Sequence, residues 1–135
     1  MHADRYLRAA ALVYAAGLIL HTADHLRRGL DTVTPAVLWA GNVSTAIGLV
    51  TVGLVLTRHR LGSLLAALTG LPIALGVAAV HLVPEWGALS DPFVDAGHTG
   101  VTVWSWFVVL VEIVGALALS LAGAQILAAR QHVPG

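Results

Sequence analysis

The chain has no cysteine. That excludes disulfide scaffolds, thiolate zinc sites and iron–sulfur clusters, and leaves the redox compartment open. It has no lysine either, so arginine supplies all seven of its permanent cations. Charge of any sign is scarce: Asp, Glu, Lys and Arg make up 10% of the 135 residues, against roughly 25% in an ordinary soluble domain. A soluble domain of this size must cover its surface with charge and amide, and this sequence has too little of either. The seven cations are balanced by seven acids, for a formal net charge of +0. There is therefore no basic footprint for nucleic acid, and none is expected as a partner. Gly-rich phosphate loops and a Ser-His-Asp spacing are also missing, which argues against a nucleophilic enzyme.

What is present is apolar. Hydrophobic residues make up 58% of the chain and mean hydropathy is +0.85. Disorder requires the opposite balance, low hydrophobicity with high net charge. The composition therefore describes a chain solvated by a lipid bilayer. A helix needs about 20 apolar residues to cross a hydrocarbon core about 30 Å thick. The sequence predicts four such spans, at about 8–27, 35–57, 61–83 and 99–128. Backbone groups in lipid must pair within their own segment, so each is read as a helix. The expected fold is all-α, an integral membrane up-down four-helix bundle forming one domain over 1–135, because short links favour antiparallel neighbours.

Local signals agree with these spans. Thr34-Pro35 is a cap followed by proline at the first helical position. Arg58-His59-Arg60 is a short polar break. Pro72 falls inside the third span and should kink it. The first span has Arg5 and Arg8 before an apolar run, as a signal peptide does. No small-x-small cleavage pattern follows Leu20, so an uncleaved helix is expected.

Arginine placement sets the expected orientation. Arg5, Arg8, Arg58, Arg60 and Arg130 fall on one side, and Arg27 and Arg28 on the other. This puts both termini in the cytoplasm, in a plasma or inner membrane. Asp24, Asp31, Glu85, Asp91 and Asp95 fall on the outer side, with Trp39, Trp86 and Trp104 near the same interface.

The outer side also gathers the chemistry. His21 and His25 are spaced i, i+4, and Asp24 is i+3 from His21, so the three share one helix face. Two imidazoles and a carboxylate so placed can converge on a cation. His81 ends the third span, Glu85 follows just beyond it, and His98 stands at the entrance to the fourth. A bundle brings these helix ends into one layer. The expected metal site is His21, Asp24, His25, His81, Glu85 and His98. Mixed imidazole and carboxylate ligands suit Zn, Fe, Mn or Cu. Haem b is the second choice, with His21 and His81 as axial ligands and Gly17 and Gly76 making room for the macrocycle. Such residues also occur at membrane interfaces simply among headgroups and water.

Two further features stand apart. Arg27 and Arg28 are candidates for an anion or lipid headgroup, or for pairing with nearby acids. Glu112 is the one acid deep inside a span. A carboxylate there is protonated or has a partner, in a proton relay or an interhelical hydrogen bond. Tyr14, Ser44, Thr45, Thr51 and Asn42 are the candidate partners, and His98, Ser105 and Glu112 share one stripe at seven-residue spacing. Small residues on the second and fourth spans allow close packing within the bundle or in a homo-oligomer.

Three functions follow as expectations. The first is metal or haem binding for redox chemistry or metal handling. The second is proton-coupled transport. The third is an accessory or assembly subunit of a larger membrane complex.

Overall fold

The computed structural model of the chain describes residues 2–94, 97 and 99–131. Among these are four long helices and no strand. They are α1 (His2–Arg28), α2 (Pro35–Leu56), α3 (Gly62–His81) and α4 (Val103–Gln131). A short 3-10 turn at Leu30–Thr32 lies between the first two. Each long helix has the length and apolar content needed to cross a membrane, and the four pack as a bundle. Asp4 and Arg8 of α1, Arg58 of the α2–α3 turn and Arg130 of α4 line one cleft, so all of them share one end of the bundle.

The helix limits differ from the apolar runs where something other than hydropathy decides them. α1 begins at His2 rather than near residue 8. Helical hydrogen bonding does not require lipid, and Asp4 in the first turn suits the positive end of the helix dipole. α4 begins at Val103 rather than near residue 99. Gly100 there has φ +70, a left-handed conformation that no α-helix accommodates. The Thr102 N–H then donates to Ser105 Oγ at 3.1 Å, a capping-box bond that fixes the start. Helix α3 runs through Pro72 without a break and ends at His81. Thr34 caps α2 as its sequence promised, accepting from the Val37 N–H at 3.2 Å.

Packing follows one rule along α1. Its buried residues include Leu7, Ala11, Tyr14, Leu18, His21, Asp24 and Arg28, spaced three or four apart. They form a single stripe that starts apolar and ends polar. In lipid, apolar side chains are at home on the outside, so the polar ones mark the inward face. The stripe meets α4, and the largest interfaces are α1 with α4 and α3 with α4. Two glycines set the approach of α1 to α4. A Cβ on Gly17 would lie 2.6 Å from Glu112 Cα, and one on Gly115 would lie 2.6 Å from Tyr14 Cα. The two backbones touch at these points, and no side chain fits between them.

Helix α2 is the peripheral one. From residue 38 to residue 47 none of its residues is buried. Trp39 is 74% exposed. The buried residues of α2 are Val37 in the first turn and, further along, Gly48, Thr51, Val52 and Val55.

The segment after α3 folds back over that helix's end. The Asp91 N–H donates to Val80 O at 3.0 Å and the Phe93 N–H to His81 O at 2.8 Å. Trp86 Nε1–H donates to Ala79 O at 2.8 Å. These bonds satisfy carbonyls that a helix terminus leaves open. They also set Asp91 directly over His81.

Candidate metal centre

The end of α1 and the end of α3 bring three imidazoles together. His21, His25 and His81 each offer a ring nitrogen within 4.8 Å of the others, a group that could hold a metal ion. Ring centroids are 4.7 Å apart for His21–His25, 4.8 Å for His21–His81 and 5.5 Å for His25–His81. His21 and His81 are buried, and His25 is partly so.

Each ring is held through its Nδ1. His21 Nδ1 lies 2.5 Å from Glu112 Oε2. With Glu112 ionised its carboxylate only accepts, and Nδ1 then carries the proton and Nε2 the lone pair. That Nε2 is buried and has no hydrogen-bond partner. His81 Nδ1 lies 2.9 Å from the Asp91 carbonyl oxygen, another pure acceptor, which likewise leaves the lone pair on Nε2. Imidazoles that bind metals are oriented in this way, with the distal N–H on a carboxylate or backbone carbonyl. His25 is held differently. Arg28 donates to its Nδ1 at 3.0 Å, so the neutral ring keeps its proton on Nε2.

A second layer of charge lies behind the rings. The Arg28 guanidinium, fully buried, forms an ion pair with Asp91 and approaches Asp24 at 3.6 Å. It also lies over the Phe93 ring, 5.2 Å from its centroid. Phe93 in turn stacks against His81 at 4.6 Å. Arg27 donates to Asp24 Oδ1 at 2.9 Å, to the Gly100 carbonyl at 2.9 Å and to Ser105 Oγ at 3.1 Å.

The residues expected at the site are therefore placed unequally. His21, His25 and His81 converge. Asp24 is buried against Arg27 and Arg28. Its charge is used to hold arginines, because two guanidiniums sit within one helical turn of it. Glu85 is exposed. His98 lies outside the described residues. Arg28 is enclosed by protein and paired, while Arg27 keeps a partly exposed side chain.

Glu112 joins the histidine group, and its partner is His21 rather than any of the five polar residues expected from sequence. Asn42, Ser44 and Thr45 lie on the stretch of α2 from 38 to 47, where no residue is buried. Thr51 bonds to Ile47 O and Thr69. The Tyr14 hydroxyl is buried without a partner. Gly17 explains the outcome: it lets the α4 backbone at Glu112 come against α1 one turn before His21.

Asp91 is the group that sequence reasoning left out of the site. The signal was indirect: Arg27 and Arg28 in a charge-poor chain require carboxylates, and Asp91 is one of several acids nearby. Only the folded loop selects it.

Haem does not fit these residues. The His21 and His81 rings are 4.8 Å apart and edge-on at 78°, with no space for a macrocycle between them. The space beside Gly17 is filled by α4. Gly76 has open space beside it, but on the far side of α3 nothing faces it within 4 Å. A single small ion matches the donor set better, because imidazole nitrogens suit Zn, Cu and Fe.

No known protein family matches the chain, and no curated protein or solved structure is significantly similar to it.

Proposed function

We propose that this chain is a multi-pass membrane protein that binds one divalent transition metal through His21, His25 and His81, in metal handling or redox chemistry. The observation that carries this reading is His21. Its Nδ1 is fixed by Glu112 and its Nε2 is buried and unpartnered in a group of three imidazoles. A buried polar atom without a partner costs about 1–3 kcal/mol. A bound cation would relieve that cost.

In this reading His21 and His81 are pre-set as ligands by Glu112 and the Asp91 carbonyl. His25 completes the set by turning its ring or by giving up its bond from Arg28, which keeps Asp91 in either case. Glu112 also supplies a negative charge that offsets part of the cation's charge in a poorly hydrated site. The arginine distribution favours the metal site facing out of the cytoplasm.

A second reading rests on the same carboxylate. The His21–Glu112 bond joins a titratable pair inside the bundle, the kind of pair that carries protons in transporters. Proton-coupled transport would use it directly.

The test is metal content. The full chain, purified in mild detergent, is loaded separately with Zn, Cu, Fe and Mn and washed, and its metal is measured by elemental analysis. One equivalent of at least one metal is expected. His21→Ala and His81→Ala should each lose it while keeping the helical circular-dichroism spectrum. Failure of the unaltered protein to retain any of the four metals stoichiometrically overturns the metal reading. A proton flux in vesicles that Glu112→Gln abolishes would favour the second.

A further inference from the structure

The opposite end of the bundle holds a second polar site that shares no residue with the histidine group. The start of α1, the α2–α3 turn and the end of α4 enclose an open cleft of about 250 Å³. Arg8, Arg58 and Arg130 line it, together with His59, Ser63 and one carboxylate, Asp4. Among the described residues none of the three guanidiniums takes part in an ion pair or a side-chain hydrogen bond. One carboxylate offsets at most one of them.

Two further features point to a ligand. Ser63 is 4% exposed, and its hydroxyl oxygen is buried without a hydrogen-bond partner. It stands at the start of α3, where a helix presents the positive end of its dipole to an anion. The second feature is Arg58. Its N–H donates to Val55 O at 3.1 Å and the His59 N–H donates to Leu54 O at 2.9 Å. This bond pair ends a helix on a left-handed residue, normally glycine. Here φ is 57 at an arginine. The strain is kept, and it sets a guanidinium at the cleft where glycine would leave nothing. His59 is positioned as a donor as well, because its Nδ1 accepts from the Leu61 N–H at 3.3 Å and the neutral ring then keeps its proton on Nε2.

We propose that this cleft binds a phosphate group, either the head of an anionic phospholipid or a free phosphate ion. Guanidinium forks match phosphate oxygens in pairs. The Ser63 hydroxyl and the His59 Nε2–H add two neutral donors. Basic pockets between the ends of membrane helices are suited to anionic headgroups. Asp4 keeps the site from being purely cationic and weakens it for a dianion relative to a monoanionic phosphodiester.

The full chain in uncharged detergent is titrated separately with short-chain phosphatidylglycerol, short-chain phosphatidylcholine and inorganic phosphate. Bound ligand is read by native mass spectrometry and the unfolding midpoint by thermal scan. Phosphatidylglycerol is expected to bind about tenfold or more tightly than phosphatidylcholine and to raise the midpoint. If inorganic phosphate competes at equal concentration, the source is a free anion; if it does not, the source is a lipid. If neither phosphatidylglycerol nor phosphate binds better than phosphatidylcholine, the proposal is overturned. Arg58→Gly should weaken binding about tenfold while the ligand-free protein unfolds at a higher temperature, since glycine relieves the left-handed strain. Ser63→Ala should weaken it less, with the fold intact. Arg60→Gln removes the same charge from the same turn but outside the cleft, so affinity should hold. Equal losses in Arg60→Gln and Arg58→Gly would mean diffuse surface charge and would sink the site.

Discussion

The two ends of the bundle carry arginine under opposite conditions. At the histidine end, Arg27 and Arg28 both have carboxylate partners, and Arg28 is enclosed by protein. At the other end, Arg5, Arg8, Arg58, Arg60 and Arg130 form no ion pair among the described residues. The first arrangement uses charge to fix internal geometry: Arg28 ties α1 to the loop that positions His81. The second leaves charge available to whatever lies outside the protein. Residue type alone does not separate the two uses. Burial does, because a charge taken out of water must find its partner inside the fold, whereas one left at the surface need not.

The comparison breaks most sharply at Asp91. Asp91→Ala takes the closest partner from the buried Arg28 guanidinium and leaves it only Asp24 at 3.6 Å, a change that costs up to about 3–5 kcal/mol. A large drop in unfolding temperature in detergent is expected. Replacing both partners, as Arg28→Leu with Asp91→Leu, should recover much of that loss. A single variant as stable as the parent would show that the Arg28–Asp91 network carries no structural load.

The next effect falls on metal binding. Glu112→Ala frees His21 Nδ1 and should weaken metal affinity about 10–100-fold. Glu112→Gln retains an acceptor and should fall toward the low end of that range. Isothermal titration with the metal found in the loading experiment measures both. Unchanged affinity in Glu112→Ala would remove this carboxylate from the site.

Helix packing comes third. Gly115→Ala drives a Cβ into the Tyr14 backbone and should destabilise the bundle by about 1–3 kcal/mol. Gly41→Ala, with nothing within 4 Å of the added atom, should cost nothing and add up to about 1 kcal/mol of helix propensity. Thermal scans of the pair isolate the α1–α4 contact from general effects of removing glycine.

The smallest effect belongs to the unpaired arginines. Arg5→Gln and Arg60→Gln should change stability by less than about 0.5 kcal/mol. A larger loss in either would show that this end is also internally braced.

Part of the site was legible before the fold was known. The i, i+4 spacing of His21 and His25 needs only a helix, and His81 at a span's end needs only a bundle of antiparallel helices. Asp24 satisfied the same spacing rule, yet it serves the arginines, because spacing gives direction and not choice of partner. Glu112 stood out as an intramembrane acid, but its partner depended on which helix α4 touches. Two glycines at the α1–α4 crossing make that choice, and α2, the source of most expected partners, lies at the edge.

Sequence by itself determined the lipid-solvated class, the four spans, the capped start of α2 and the segregation of arginine between the ends. These are local or compositional properties, set by hydropathy, span length and capping chemistry. Tertiary structure decided that Glu112 and Asp91 hold the histidines, that Arg28 is enclosed while Arg58 is not, and that haem has no room. Those outcomes depend on contacts between residues far apart in the chain. In a membrane chain, hydropathy is nearly uniform around each helix, so it does not reveal which face turns inward.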